Sequence, residues 1–224
     1  MNDNVVNKKS FISKVTEIVK TNIRNIIILL SFCFALFLSF QIYSFYISNK
    51  IQKNSISFFA AQNTDDTNVI TDTITKLSND NTFYGVLAKL ELIDLTLKQN
   101  NIEDSISMYL EIINQNNLES VYKSAIASKA SYQLVDINFE NLSSNYLNII
   151  NDFISYIDDE TDSYKGIKLE LKYLIKILEA EKNSIDYSSF NEVNDIYENI
   201  MSSDVVSSAI KERVNKIHEF YSNK

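Results

Sequence analysis

The sequence predicts an all-α protein made of one N-terminal transmembrane helix and a stack of helix hairpins. Three observations carry this. Proline is absent and glycine occurs twice in 224 residues, whereas all-β and α/β folds need both for their turns. A 22-residue stretch near the N-terminus carries no charge. Beyond it, apolar residues recur at steps of three and four, the period of an amphipathic helix.

The uncharged stretch is Ile26 to Ile47, IIILLSFCFALFLSFQIYSFYI. As a helix it is roughly 33 Å long, which matches a bilayer core of about 30 Å. Tyr43 and Tyr46 stand at its C-terminal end, where an aromatic belt is expected. Lys8, Lys9, Lys14, Lys20 and Arg24 precede it, and only Lys50 and Lys53 follow before Lys76. The positive-inside rule therefore places residues 1–25 in the cytoplasm and residues 63–224 across the membrane. An uncleaved signal anchor is expected rather than a cleaved signal peptide. The run exceeds the usual h-region of about 7–15 residues, and Phe58 and Phe59 occupy the −3 positions before the first small pair, Ala60-Ala61. Cys33 and Gln41 lie inside the span, facing lipid or a neighbouring transmembrane helix.

Residues 48–62 are expected to continue as a juxtamembrane helical linker. Thr64-Asp65-Asp66 then caps a short helix that carries Val69, Ile70, Ile74 and Leu77. Residues 78–81 break it. Phe83, Val86, Leu90, Ile93 and Leu97 define the next helix, with Gly85 inside it. Gln99-Asn100-Asn101 turns the chain, and Ile102, Ile106, Tyr109 and Ile113 define its partner. Leu90, Ile93, Ile106 and Tyr109 are expected in the core. The unit recurs. Tyr122, Ile126, Ala130 and Leu134 form a helix, residues 137–138 a turn, and Leu142, Tyr146, Ile149, Phe153 and Ile157 its partner. Tyr164, Ile167, Leu171, Leu174 and Leu178 form a third leading helix, residues 182–184 a turn, and Phe190, Val193, Tyr197 and Ile200 its partner. Val206, Ile210, Val214, Ile217 and Tyr221 form a capping helix.

The turns echo one another: Asn101-Ile102-Glu103, Asn138-Phe139-Glu140 and Asn183-Ser184-Ile185-Asp186. Asparagine tolerates the left-handed conformation that closes a helix. Both glycines, Gly85 and Gly166, fall near helix starts, where a close neighbouring helix explains the roughly 1 kcal/mol that glycine costs against alanine. Hairpins starting at 83, 122 and 164 leave the stack open between a tetratricopeptide-like and a HEAT-like repeat, and either must stack to bury its faces.

Charge limits the partners. Residues 1–50 carry a net +4, from six basic and two acidic residues. Residues 51–224 carry −12, from fifteen basic and twenty-seven acidic. Such a domain does not attract nucleic acid. His218 is the sole histidine, and no catalytic partner is evident for it. Asp158, Asp159, Glu160 and Asp162 form the densest acidic cluster. It reads as a solvated turn with Asp162 or Ser163 as a cap; as a cation site it lacks the EF-hand layout. No catalytic, cofactor-binding or metal-binding residue is assigned, and the chain is read as a non-enzyme.

The run from Thr82 to Gln115, TFYGVLAKLELIDLTLKQNNIEDSISMYLEIINQ, resembles the ancillary SecYEG translocon subunit family. That family consists of inner-membrane proteins with a periplasmic tetratricopeptide-repeat-like domain. An alphaproteobacterial family of the same layout is a further relative by this resemblance. Ser105 and Tyr109 match the small and aromatic positions of the repeat, whereas Ile93, Thr96 and Ile112 depart from it, so no carboxylate-clamp residues carry over. The resemblance implies association with translocon subunits, periplasmic chaperones and exported clients. Scaffolding of an envelope or cell-division complex is the alternative. A homo-oligomer through residues 48–62 is left open.

Overall fold

The computed structural model describes residues 3–116, 118–142, 145–158, 162–185 and 191–223, with the side chains of 3–19, 162 and 163 left aside. Among these residues the chain is helical without strands. The nine helices are α1 (Asp3–Gln62), α2 (Thr67–Ser78), α3 (Phe83–Lys98), α4 (Ile102–Ile113), α5 (Ser120–Glu140), α6 (Leu147–Ser155), α7 (Asp162–Lys182), α8 (Asn191–Ser202) and α9 (Ser208–Ser222). They form two compact units, Met1–Gly85 and Val86–Lys224. Helix α2, expected at the head of the 63–224 domain, groups with α1.

In the first unit α1 runs 60 residues without a break. Its apolar span and the juxtamembrane segment are one helix. Asp66 caps α2 by accepting from the amides of Asn68 (3.0 Å) and Val69 (3.4 Å). Phe58 and Ala61 of α1 and Ile74 and Leu77 of α2 are buried, whereas Val69, expected on the packed side, is exposed. Asp80 ties the loop after α2 back to α1, accepting from Lys50 (2.6 Å) and Asn54 (2.8 Å). Burial alone would raise the Asp80 carboxyl, but the bonds from Lys50 and Asn54 overcome that and hold it below its ordinary value. Thr82 accepts from Asn54 at 2.9 Å and from the Gly85 amide at 3.3 Å, so one hydroxyl links α1 to the N-terminus of α3.

In the second unit, from α4 to α9, each helix packs on the next in sequence. Helix α5 lies against α4, α6 and α7, and α7 lies against α6, α8 and α9. One core joins α3 to α7 through Ile93, Tyr109, Ile112, Phe153, Leu171 and Leu178. A second joins α7 to α9 through Tyr173, Ile177, Val193, Ile200 and Val214. Helix α7 is buried on two sides because it serves both.

Two turns end in the same way. Asn100 and Ser184 have positive φ, 59° and 52°. Around Asn100, its own amide donates to Leu97 O (2.8 Å) and the next amide to Thr96 O (3.1 Å). Around Ser184 the matching bonds reach Glu181 O (3.2 Å) and Ala180 O (2.9 Å). This is the Schellman pattern, with asparagine and serine where glycine is usual. The turn echo read from the sequence set Asn101 against Asn183; in the structure Asn100 matches Ser184, and Asn101 matches Ile185, two residues further on.

Other expectations are corrected. There is no turn at 137–138. Helix α5 continues to Glu140, and the buried Asn138 amide donates to Leu134 O at 2.8 Å, so its polar group is satisfied inside the helix. The turn follows at Asn141, which leaves Leu142 exposed outside the partner helix. Phe83 and Tyr122 are exposed and Leu90 is only half-buried, while Ile93, Ile106 and Tyr109 are core. Phe190 and Asp186 lie outside the described residues.

The glycines divide. At Gly166 the neighbours are the Ile210 side chain (3.2 Å from a built Cβ) and the Val206 backbone (3.5 Å), so the second unit's last helix and its lead-in come close, as expected. At Gly85 the end of α2 is near, with the Leu77 carbonyl oxygen 3.1 Å from a built Cβ, but the tightest neighbour is the loop that follows it. A Cβ there would stand 1.8 Å from the Asp80 carbonyl oxygen, which folds over the first turn of α3.

Candidate interaction surface

Helix α9 closes the second unit and carries its most distinctive surface. Ser207 starts it by accepting from the Ile210 amide at 3.4 Å. Val206 just ahead of the cap, and Ile210 and Val214 within the helix, turn into the second core. Arg213 emerges on the neighbouring side and grips Glu170 of α7 with two nitrogens, at 2.9 and 2.7 Å. Tyr132 of α5 donates to the same carboxylate at 2.6 Å. Glu170 is 2% exposed, so three charge-assisted bonds satisfy a carboxylate that burial would otherwise penalise. Burial, and next the Glu170 carboxylate, raise the Tyr132 hydroxyl far above its ordinary value, so it stays a donor.

That clip fixes the end of α9 over an apolar cleft of about 350 Å³, lined by Phe139, Leu174, Lys216, Ile217, Phe220 and Tyr221. Phe220 is 64% exposed at its edge. Lys216 stands on the rim and pairs with Glu212 at 2.7 Å. An open apolar cleft with one basic rim residue suits the side chains of a protein partner. On the other side of α9, the His218 ring stacks on Tyr197 (centroids 3.7 Å, 10°), and its Nδ1 lies 3.4 Å from the Tyr173 hydroxyl. Burial lowers the His218 pKa, with Glu219 opposing, which favours the neutral ring.

The remaining residues singled out from the sequence are scattered. Cys33 and Gln41 are exposed on α1. Asp158 lies three residues beyond the end of α6, its backbone amide donating to the buried Ser124 hydroxyl at 2.9 Å. Asp159, Glu160 and the Asp162 and Ser163 side chains lie outside the described residues, so the acidic cluster as a unit does too. The described residues contain no grouping of three potential metal ligands.

No family model, curated protein or solved structure matches the chain.

Sequence reading missed Tyr132, Glu170, Arg213 and Phe220. A signal was present. Glu170 stands three after Ile167 and four before Leu174, and Arg213 three after Ile210 and four before Ile217. A carboxylate and a guanidinium that each interrupt an apolar register of different helices point to a pair between those helices.

Proposed function

We propose that this protein is a non-enzymatic, membrane-anchored scaffold whose helical second unit docks other proteins. The carrying observation is the continuity of α1. The uncharged span is exposed along its length, and one segment, Lys20–Gln62, is long and apolar enough to cross a membrane. The same helix continues into residues whose side chains, Phe58 and Ala61, are buried where α1 packs on α2. Cleavage behind the span would remove that half of the packing, which favours an anchor over a discarded signal. Lys50, one of the two lysines just past the span, is paired with Asp80. That leaves the basic excess on the N-terminal side and supports a cytoplasmic N-terminus with Val86–Lys224 across the membrane.

The docking surface is the cleft beside Phe220, carried on a tetratricopeptide-like stack of hairpins. By the sequence resemblance, its partners are translocon subunits, periplasmic chaperones and exported clients of the inner membrane. Alkaline extraction and protease accessibility of the native protein test the anchor: a pellet-bound protein with a protected N-terminus is expected, and a soluble, shortened product refutes it. A photo-cross-linker placed at Phe220 tests the docking surface. Adducts with translocon subunits or exported proteins are expected. Adducts no different from those at an exposed α2 position refute it.

A further inference from the structure

We infer that the face of α1 turned away from α2 is a homodimer seam that runs without interruption from the membrane span into the juxtamembrane helix. The inference rests on the anchor reading for its depth in the bilayer. Helix α2 covers one side of α1 only. Asn54, Phe58 and Ala61 point to that side. Ile56, two residues from both Asn54 and Phe58, is therefore about 200° round the helix from each. It is 63% exposed, and Phe59, at the edge of this face with its ring edge-on to Phe58 and Tyr84, is 50% exposed.

Lipid does not reach these two side chains. Ile56 is nine residues beyond Ile47 and Phe59 twelve, about 13 and 18 Å along the helix. The headgroup layer on each side of the core is only about 5–8 Å thick. Their exposed surface is therefore open to a protein neighbour rather than to lipid.

Three features select a second copy of the chain. The face continues back through Gln52, Gln41 and Phe34 to Ile27 in steps of three and four, with a single extra step of four where the helix leaves the span. Such a stutter locally unwinds a coiled coil without ending it. No charged residue occupies the face anywhere along this length, so identical copies meet without repulsion. Gln41 places an exposed amide in the hydrocarbon. An amide both donates and accepts, so its natural complement at that depth is the same residue on a parallel neighbour. A shared topology in the membrane sets the two helices parallel and in register.

The test is cysteine cross-linking of the full-length protein in native membranes, in a Cys33→Ser background. Oxidation should give a product of twice the 25.8 kDa chain mass for Gln52→Cys and Ile56→Cys. The yield should be at least fivefold lower for Lys53→Cys and Ser57→Cys. Even yields at all four positions, no dimer, or adducts of a different mass overturn the proposal. Gln41→Leu touches neither α2 nor the Phe59 rings. It should weaken the dimer by about three- to tenfold when subunits are counted by single-molecule photobleaching, and unchanged dimerisation removes Gln41 from the seam and overturns its extension into the membrane. Extraction behaviour reports separately on the anchor, so a membrane-bound monomer defeats this inference alone.

Discussion

Replacing Arg213 by methionine isolates the Glu170 clip. Methionine keeps the aliphatic stem and deletes both guanidinium bonds to a carboxylate that is 2% exposed. Breaking a buried ion pair by removing one partner costs about 3–5 kcal/mol. The Arg213 side chain is itself 55% exposed, so water replaces part of what is lost, and the low end, about 3 kcal/mol, is expected. At about 1.4 kcal/mol per tenfold, that is an increase on the order of 100-fold in the opening of α9. Hydrogen exchange of the α9 amides in the detergent-solubilised full chain measures it. Glu170→Leu should be milder, at about 1–2 kcal/mol, because Arg213 returns to water and only Tyr132 loses a buried partner. The double variant, Arg213→Met with Glu170→Leu, should exchange more slowly than Arg213→Met alone, since no charge remains stranded. Acceleration below fivefold in Arg213→Met, or a double variant no slower than it, would show that the clip does not hold α9.

The other expectations concern backbone and pH. Gly85→Ala should destabilise the first unit by about 2 kcal/mol or more, since overpacking costs about 1–3 kcal/mol and the obstacle is a backbone carbonyl 1.8 Å away. Gly166→Ala should fall within about 1 kcal/mol of neutral, because the Ile210 methyl at 3.2 Å can move and alanine is the better helix former; thermal melts of both variants make the comparison. Ser184→Gly and Asn100→Gly should each raise stability by about 0.5–1 kcal/mol by relieving a left-handed side chain, read from shifted urea midpoints. The folded His218 pKa lies below that of the unfolded chain, so the fold binds fewer protons there. Its stabilising contribution is complete above about pH 6.5 and is lost as pH falls. His218→Phe, which keeps the stack on Tyr197, should flatten the melting temperature between pH 5 and 7, and an unchanged slope would place the titration elsewhere.

Local patterns were readable where one kind of force acted. The uncharged span, the end of α1 at Gln62, the Asp66 cap and the helix registers of α4, α7 and α9 all follow from hydropathy period and capping chemistry. Helix α5 hid its boundary because its buried side is largely small and polar. Ser124, Ser128, Ser131 and Asn138 are buried there. Ser128, Ser131 and Asn138 satisfy themselves on the carbonyl four residues back, at 2.7, 2.8 and 2.8 Å. An asparagine that bonds back along its own helix looks, in sequence, like one that ends it. The Gly85 contact was hidden for another reason, since a carbonyl folding over a helix start leaves no side-chain pattern. The cleft beside Phe220 joins α5, α7 and α9, and periodicity within one helix says nothing of such a meeting.

Helix α7 belongs to both cores of the second unit, and this makes unfolding directional. Losing α8 and α9 strips one side of Tyr173 and Ile177 and takes Ile217 from the edge of the first core, but leaves Leu171, Leu174 and Leu178 against the earlier helices. Losing α7 dismantles both cores at once. The C-terminal pair is therefore expected to open as a subglobal unit while the earlier helices hold together, and a partner gripping the Phe220 cleft, which that pair carries, should suppress the opening.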